Sequence, residues 1–224
     1  MARIRTRLPK VFVGHPFGGR FAVSKFRRLF RELPFVVIYG DTHLQTKHLL
    51  QIMKQNINQS DFSIFDLSGW NSNVALELGL AEGLKRNAEK EYFILLNTRR
   101  SKEVPSDIRG LQRLEYTSYD YKPQSGLGDV LLKGILAKEY WIKTIKKHFS
   151  NDSDMDKKLL LAVKILAHLR DHEKLTRENV KSLVRGTRLR ESKRDSVLLV
   201  LKTLKLIKNS FGGNVYELRK KIFS

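Results

Sequence analysis

Residues Ser60–Gly83 read SDFSIFDLSGWNSNVALELGLAEG, and the three parts of this stretch decide the fold. Phe62-Ser63-Ile64-Phe65 is a short apolar run bounded by Asp61 and Asp66, as in a buried strand. Leu67-Ser68-Gly69-Trp70-Asn71-Ser72-Asn73 is a turn. Apolar residues then recur at helical spacing, at Val74, Leu76, Leu78, Leu80, Ala81 and Leu84. Strand, turn, helix is the repeating unit of open α/β sheets, whose ligands bind at the carboxyl ends of the strands. Glu77 stands one turn into this helix. It either faces the core beside Val74, Leu80 and Ala81 or tips into the crevice above the sheet.

The same alternation extends in both directions. Upstream, Lys10–Gly14 reads as a first strand and His15-Pro16-Phe17-Gly18-Gly19-Arg20 as a turn. Phe21, Phe26, Leu29, Phe30 and Leu33 then share one helical face. Val36–Tyr39 reads as a second strand, and the amphipathic pattern over 46–59 as a second helix. Downstream, Tyr92–Leu96 is a near-continuous apolar run, the pattern of a strand buried on both faces. A last strand is expected over Leu111–Tyr116, entered through Val104–Gly110, and a long helix over Leu127–Phe149. The order β-α-β-α-β-α-β-loop-β-α predicts a flavodoxin-like α/β domain, a parallel sheet with helices on both faces.

Ser150-Asn151-Asp152-Ser153-Asp154 is a polar break, which places a boundary between domains 1–150 and 151–224. Three helical patterns follow it. Leu159–Leu169 is strongly apolar, Thr176 caps a second helix, and Ser192–Ile207 carries a stripe of Val197, Leu198, Val200, Leu201 and Leu204. Residues 206–218 read as two strands around Gly212-Gly213. Helix, helix, helix, hairpin is the layout of a winged helix.

Composition narrows the chemistry. The 224 residues contain no cysteine, which excludes disulfides, thiolate metal sites and a cysteine nucleophile, and makes a cytoplasmic location the expectation. No apolar run approaches the roughly 20 residues a membrane span needs, so no membrane partner is expected. The six histidines show no metal-binding spacing, and no metal site is expected. The net charge of +20 and pI near 10.2 point to a polyanionic partner, nucleic acid first. Residues 151–224 hold 18 Lys+Arg against 9 Asp+Glu, the denser share of that charge. Arg185, Arg188, Arg190, Lys193 and Arg194 cluster where a recognition helix would begin, and Lys208 stands at the foot of the wing. These six residues are the candidate DNA contacts.

The central stretch resembles a known signature. Asn71, Asn73, Val74, Glu77, Gly79 and Ala81 look like the core motif of nucleoside 2-deoxyribosyltransferase-like and TIR-like domains. The strand ending in His15-Pro16-Phe17 resembles the first loop of that family, and Val104–Gly110 with Tyr116 its later segment; the likeness spans roughly residues 10–147. The resemblance implies cleavage of the bond between ribose C1′ and a base nitrogen, in a nucleoside, a nucleotide or NAD. It assigns Glu77 to attack C1′ or to stabilise the oxocarbenium charge, as glycoside chemistry requires. Asn73 would hold Glu77 or the ribose hydroxyls, and Asp66 would be a second carboxylate or position the base. His15, Gly18 and Gly19 would approach a phosphate and Arg20 would add charge, Phe17 and Asn71 would be further substrate contacts, and Trp70 either stacks on a base or caps the core. Deoxyribosyltransferases proper carry Asp-x-Gly-Thr ahead of the glutamate, where this chain has Asn71-Ser72-Asn73-Val74, so transfer to a second base is not implied. The expectation is an N-glycosidase acting on NAD or a nucleotide, with no further cofactor, coupled to nucleic-acid binding in a defence or stress role. The alternatives are a nucleotide-responsive DNA-binding regulator with a non-catalytic α/β domain, and a scaffold that assembles as a homo-oligomer.

Overall fold

A computed structural model of the chain describes residues 8–17, 22–40, 49–88, 91–101, 109–210 and 215–218. The chain divides into two compact units. One is Pro9–Phe30 with Phe35–Ile135; the other is Leu136–Ser224 with the short segments Met1–Leu8 and Arg31–Pro34.

The first unit is an α/β domain. Its elements run β1 (Lys10–Gly14), α1 (Val23–Arg31), β2 (Val36–Tyr39), α2 (Leu49–Gln59), β3 (Phe62–Asp66), α3 (Ser72–Ala88), β4 (Glu91–Asn97), β5 (Arg113–Tyr116) and a short α4 (Leu127–Val130). The five strands are all parallel, in the order β2-β1-β3-β4-β5. The chain moves outward from β1 to β2, then crosses back past β1 to β3. Right-handed crossovers therefore place α1 on one face and α2 and α3 on the other. Every residue of β3 is buried, as a central strand covered on both faces must be.

Strand alternation sorts the side chains between the faces. Phe12, Phe65 and Ile94 point toward α2 and α3, where they form one cluster with Ile57, Val74, Leu78 and Ala81. Phe26 and Phe30 of α1 are buried on the opposite side, and their rings stack 4.8 Å apart.

The apolar pattern over Leu127–Phe149 is not one helix. It is α4, a wide turn at Leu131–Ile135, a tight turn at Leu136–Lys138, and α5 (Tyr140–His148). The side chain of Leu114 stands against Gly134 in the wide turn, where a Cβ would meet it at 3.0 Å.

The second unit continues from α5 with α6 (Met155–His172), β6 (Lys174–Thr176), α7 (Arg177–Thr187), α8 (Arg194–Thr203), β7 (Ile207–Ser210) and β8 (Val215–Leu218). The strands form an antiparallel sheet in the order β6-β8-β7. Leu159, Leu161, Val163, Ile165, Leu166 and Leu169 of α6 are buried around most of its circumference, which makes α6 the core helix. Thr176 caps α7 by accepting from the backbone N–H of Asn179 at 3.3 Å. The acidic break before α6 is tied into this unit. Asp154 accepts from Lys193 at 2.6 Å and from Lys157 at 2.9 Å, and Asp152 pairs with the buried Lys158.

Candidate active site

Glu77 is buried, with 5% of its surface exposed, although it is a carboxylate on an amphipathic helix. Its environment explains where it points. A Cβ at Gly14 would overlap its Oε2, and a Cβ at Gly40 would overlap its Oε1. Gly14 ends β1, and Gly40 directly follows β2, its N–H donating to the carbonyl of Val13 at 3.3 Å. The carboxylate therefore tips over the carboxyl ends of two adjacent parallel strands, in the space left by two absent side chains. Of the two orientations the helix allowed, the structure adopts the crevice. The glycines carry the missing signal. Each directly ends or follows a strand in the sequence, a placement that permits close approach of another group.

The turn before α3 is built to aim this helix. Asn71 caps it, its Oδ1 accepting from the N–H groups of Asn73 at 3.0 Å and Val74 at 3.4 Å. Gly69 and Trp70 both take left-handed backbone angles, φ 76° and 54°. The Trp70 N–H donates to the carbonyl of Leu67 at 2.9 Å, and its ring packs on the Phe12–Phe65 cluster. Trp70 thus covers the core. Asn73 is exposed on the first turn of α3, four residues before Glu77 and so on the same side of the helix.

Asp66 lies elsewhere. It follows Phe65 in β3, so alternation turns it to the α1 face of the sheet, away from the side that carries Glu77. It is fully buried, and Tyr116 donates to its Oδ2 at 2.6 Å while the Ser68 N–H donates to its Oδ1 at 2.9 Å. Burial raises its pKa above the ordinary range, against the opposing pull of hydrogen bonds from Ser68 and Tyr116 and of the Arg100 charge. Ser68 Oγ in turn accepts from the N–H of Asn97 at 2.7 Å, and Ser101 Oγ from that of Gly69 at 2.9 Å. This network fastens the turn to the end of β4. Ser68 is its unforeseen member, and Tyr116, noted in the sequence only as part of the resemblance, proves to be the donor to Asp66. Desolvation also pushes up the pKa of Tyr119, whose ring lies 5.6 Å from that of Tyr116.

His15 is buried in an aromatic box on the α1 face. Its ring is 4.6 Å from Phe17, 5.0 Å from Phe26 and 5.5 Å from Tyr39. Nδ1 donates to the carbonyl of Pro16 at 3.0 Å, and Arg27 Nε donates to Nε2 at 3.0 Å. One nitrogen must donate and the other must accept, so the ring is the neutral Nδ1–H tautomer. The Arg27 guanidinium lies 4.3 Å from the ring centre of Tyr39. His15 thus fixes the first loop from within, and Phe17, 42% exposed, stands at its rim. Gly18, Gly19 and Arg20 lie outside the described residues, as does most of Val104–Gly110.

In the second unit Arg185, Arg188 and Arg190 are exposed. Lys193 is held by Asp154 and Asp152, Arg194 pairs with Asp195 at 2.9 Å, and Lys208 with Glu217 at 3.2 Å. Among the described residues no helix is long and apolar enough to cross a membrane. No protein-family model matches the chain, and no curated protein matches it in sequence.

Proposed function

We propose that the α/β unit is an N-glycosidase that hydrolyses the ribose–base bond of NAD or a related nucleotide, with Glu77 as its key carboxylate. The observation that supports this most is the placement of Glu77 between Gly14 and Gly40, at the carboxyl ends of β1 and β2. The likeness of Asn71–Ala81 to deoxyribosyltransferase-like and TIR-like domains points the same way.

The bond from C1′ to the base nitrogen breaks with its electron pair leaving on the base. Positive charge then develops on C1′ and the ring oxygen, and a carboxylate in a buried setting stabilises it strongly. Glu77 either holds that charge or bonds to C1′ until water displaces it. The water oxygen ends on C1′ and its proton passes to solvent or to the departing base. Asp66 faces the other side of the sheet and holds the turn, so Glu77 acts without it. This arrangement suits a leaving group that needs no acid. Nicotinamide is such a group, because the departing pair neutralises its own pyridinium nitrogen.

The second unit reads as a winged helix: α6, β6, α7, α8 and the β7–β8 hairpin follow that order. Its basic surface fits nucleic acid, which would serve as tether or trigger. The regulator alternative draws on the burial of Glu77, which also suits a ligand site without turnover. Free-base release from NAD and a nucleotide panel, compared with Glu77→Gln, separates the two.

A further inference from the structure

Of the six cations singled out in the sequence, Arg185 and Arg188 stand on α7 and at its C-terminal cap, and the structure adds Arg177 and Lys181 of the same helix to them. Arg177, Lys181, Arg185 and Arg188 follow one another at intervals of four, four and three residues, which keeps them on one side of the helix. All four are exposed, and among the described residues none of them takes part in an ion pair. The opposite side, Val180 and Val184, is buried in the core of the unit. The acidic neighbours are Glu178, one position off the stripe, and Glu191 beyond Arg190. By contrast, Lys193, Arg194 and Lys208 are each engaged by a carboxylate, and the outer side of α8 carries Leu199, 63% exposed.

Arg188 closes α7 in the left-handed conformation, φ 56° and ψ 24°, where glycine is strongly preferred. Trp70, Gln124, Glu173 and Lys205 share a positive φ, so the angle itself assigns Arg188 no role; it places the exposed side chain at the C-terminal end of the stripe.

We infer that the outer side of α7 is the surface on which this protein holds double-stranded DNA, through its phosphates; the inference rests on the nucleic-acid reading above. The stripe spans about 16 Å at 1.5 Å per residue, along which a duplex presents about one charge per 1.7 Å of its axis. Three partners are separated by the residue types. Single strands are held by stacking on aromatic rings, and the α7 sequence RENVKSLVRGT has none. A helix that inserts into an anionic membrane presents apolar residues beside its cations, and the valines of α7 face inward. A helix of this kind fits the B-form major groove but not the deep, narrow one of A-form RNA.

The test is fluorescence anisotropy on the full chain with two labelled DNA duplexes of unrelated sequence, titrated at several salt concentrations. Arg177→Ala, Lys181→Ala and Arg185→Ala are each expected to weaken binding several-fold and equally on both duplexes. Each should also reduce the slope of log K against log salt by about 1. Arg188→Gly is expected to weaken binding in the same way while raising Tm by a few degrees, since glycine relieves the left-handed turn. A merely structural arginine would not divide the two readouts. Arg194→Ala and Lys208→Ala should keep the wild-type affinity. If the wild type binds DNA but only those last two variants lose affinity, the α7 assignment is overturned and the nucleic-acid reading stands. If the wild type binds RNA or single strands in preference, duplex DNA is the wrong partner. If it binds neither duplex, or prefers phosphatidylserine vesicles, both readings fall.

Discussion

The carboxylate of Glu77 in α3 occupies the space that a side chain at Gly14 would fill, above the end of β1. Gly14→Ala should therefore cost about 1 to 3 kcal/mol, the usual penalty of overpacking. Combining it with Glu77→Ala should recover part of that cost, because the overlapping carboxylate is gone while Phe65 Cδ1 remains 3.0 Å from the new Cβ. Urea denaturation of the two single variants and the double variant measures the coupling. Additive effects would mean that the two positions do not meet. Gly40→Ala, on the neighbouring strand, should behave in the same way.

Tyr116 reaches across the sheet to Asp66 with a 2.6 Å hydrogen bond, and both side chains are buried. Tyr116→Phe removes a donor from a buried carboxyl and should destabilise the fold by about 1 to 3 kcal/mol. Asp66 keeps its proton to higher pH in the folded chain than the ordinary value of 3.8. The native state therefore binds more protons in that window, so its contribution to stability falls as pH rises through it. Asp66→Asn should remove this slope. It should also leave base release within a few-fold of wild type, since the group positions a turn; chemical denaturation across pH, alongside the activity assay, reads both effects.

The Lys193 ammonium, and after it Lys157, holds the Asp154 carboxyl down to about 2. A depressed carboxyl favours folding above its unfolded pKa and loses that contribution as pH falls from about 4 to about 2. The second unit should accordingly soften over this acid range. Asp154→Asn and Lys193→Met should each flatten that part of the stability profile, followed by circular dichroism. An unchanged acid limb in both would show the pairing to be inconsequential.

Most of the α/β architecture was legible because short continuous apolar runs alternate with period-3.6 apolar patterns from Lys10 to Tyr116. The strand order was not legible in the pattern: five alternating strands suit the flavodoxin-like order by analogy, and the ladders between the strands fix it as β2-β1-β3-β4-β5. The helix after β5 was not legible: apolar spacing over Leu127–Phe149 continues through the wide and tight turns and so does not mark them. Strand β6 was hidden because Lys174-Leu175-Thr176 offers a single buried residue, too few to show a period. In the site, the motif located Glu77 but not its seat, since Gly14 and Gly40 are distant in sequence and meet it only through the sheet register. Asp66 entered the candidate site through the resemblance and its place at the end of a strand, a position that suits a turn residue equally well. Its face is decided by strand parity relative to Phe65. The basic cluster was read from charge density and from its place at the expected recognition helix and wing, neither of which reveals that Asp154, Asp195 and Glu217 engage three of its members.

The central claim is that Glu77 cleaves a ribose–base bond. Its most direct test is chromatographic detection of free nicotinamide from NAD, and of free base from a nucleotide panel, by the full chain with and without duplex DNA. The account predicts release by wild type and a loss of at least about a hundredfold in Glu77→Gln, the scale set by removing one transition-state contact, with the variant folded by circular dichroism. Release that survives in Glu77→Gln, or no release from any of these compounds with DNA present, would contradict it.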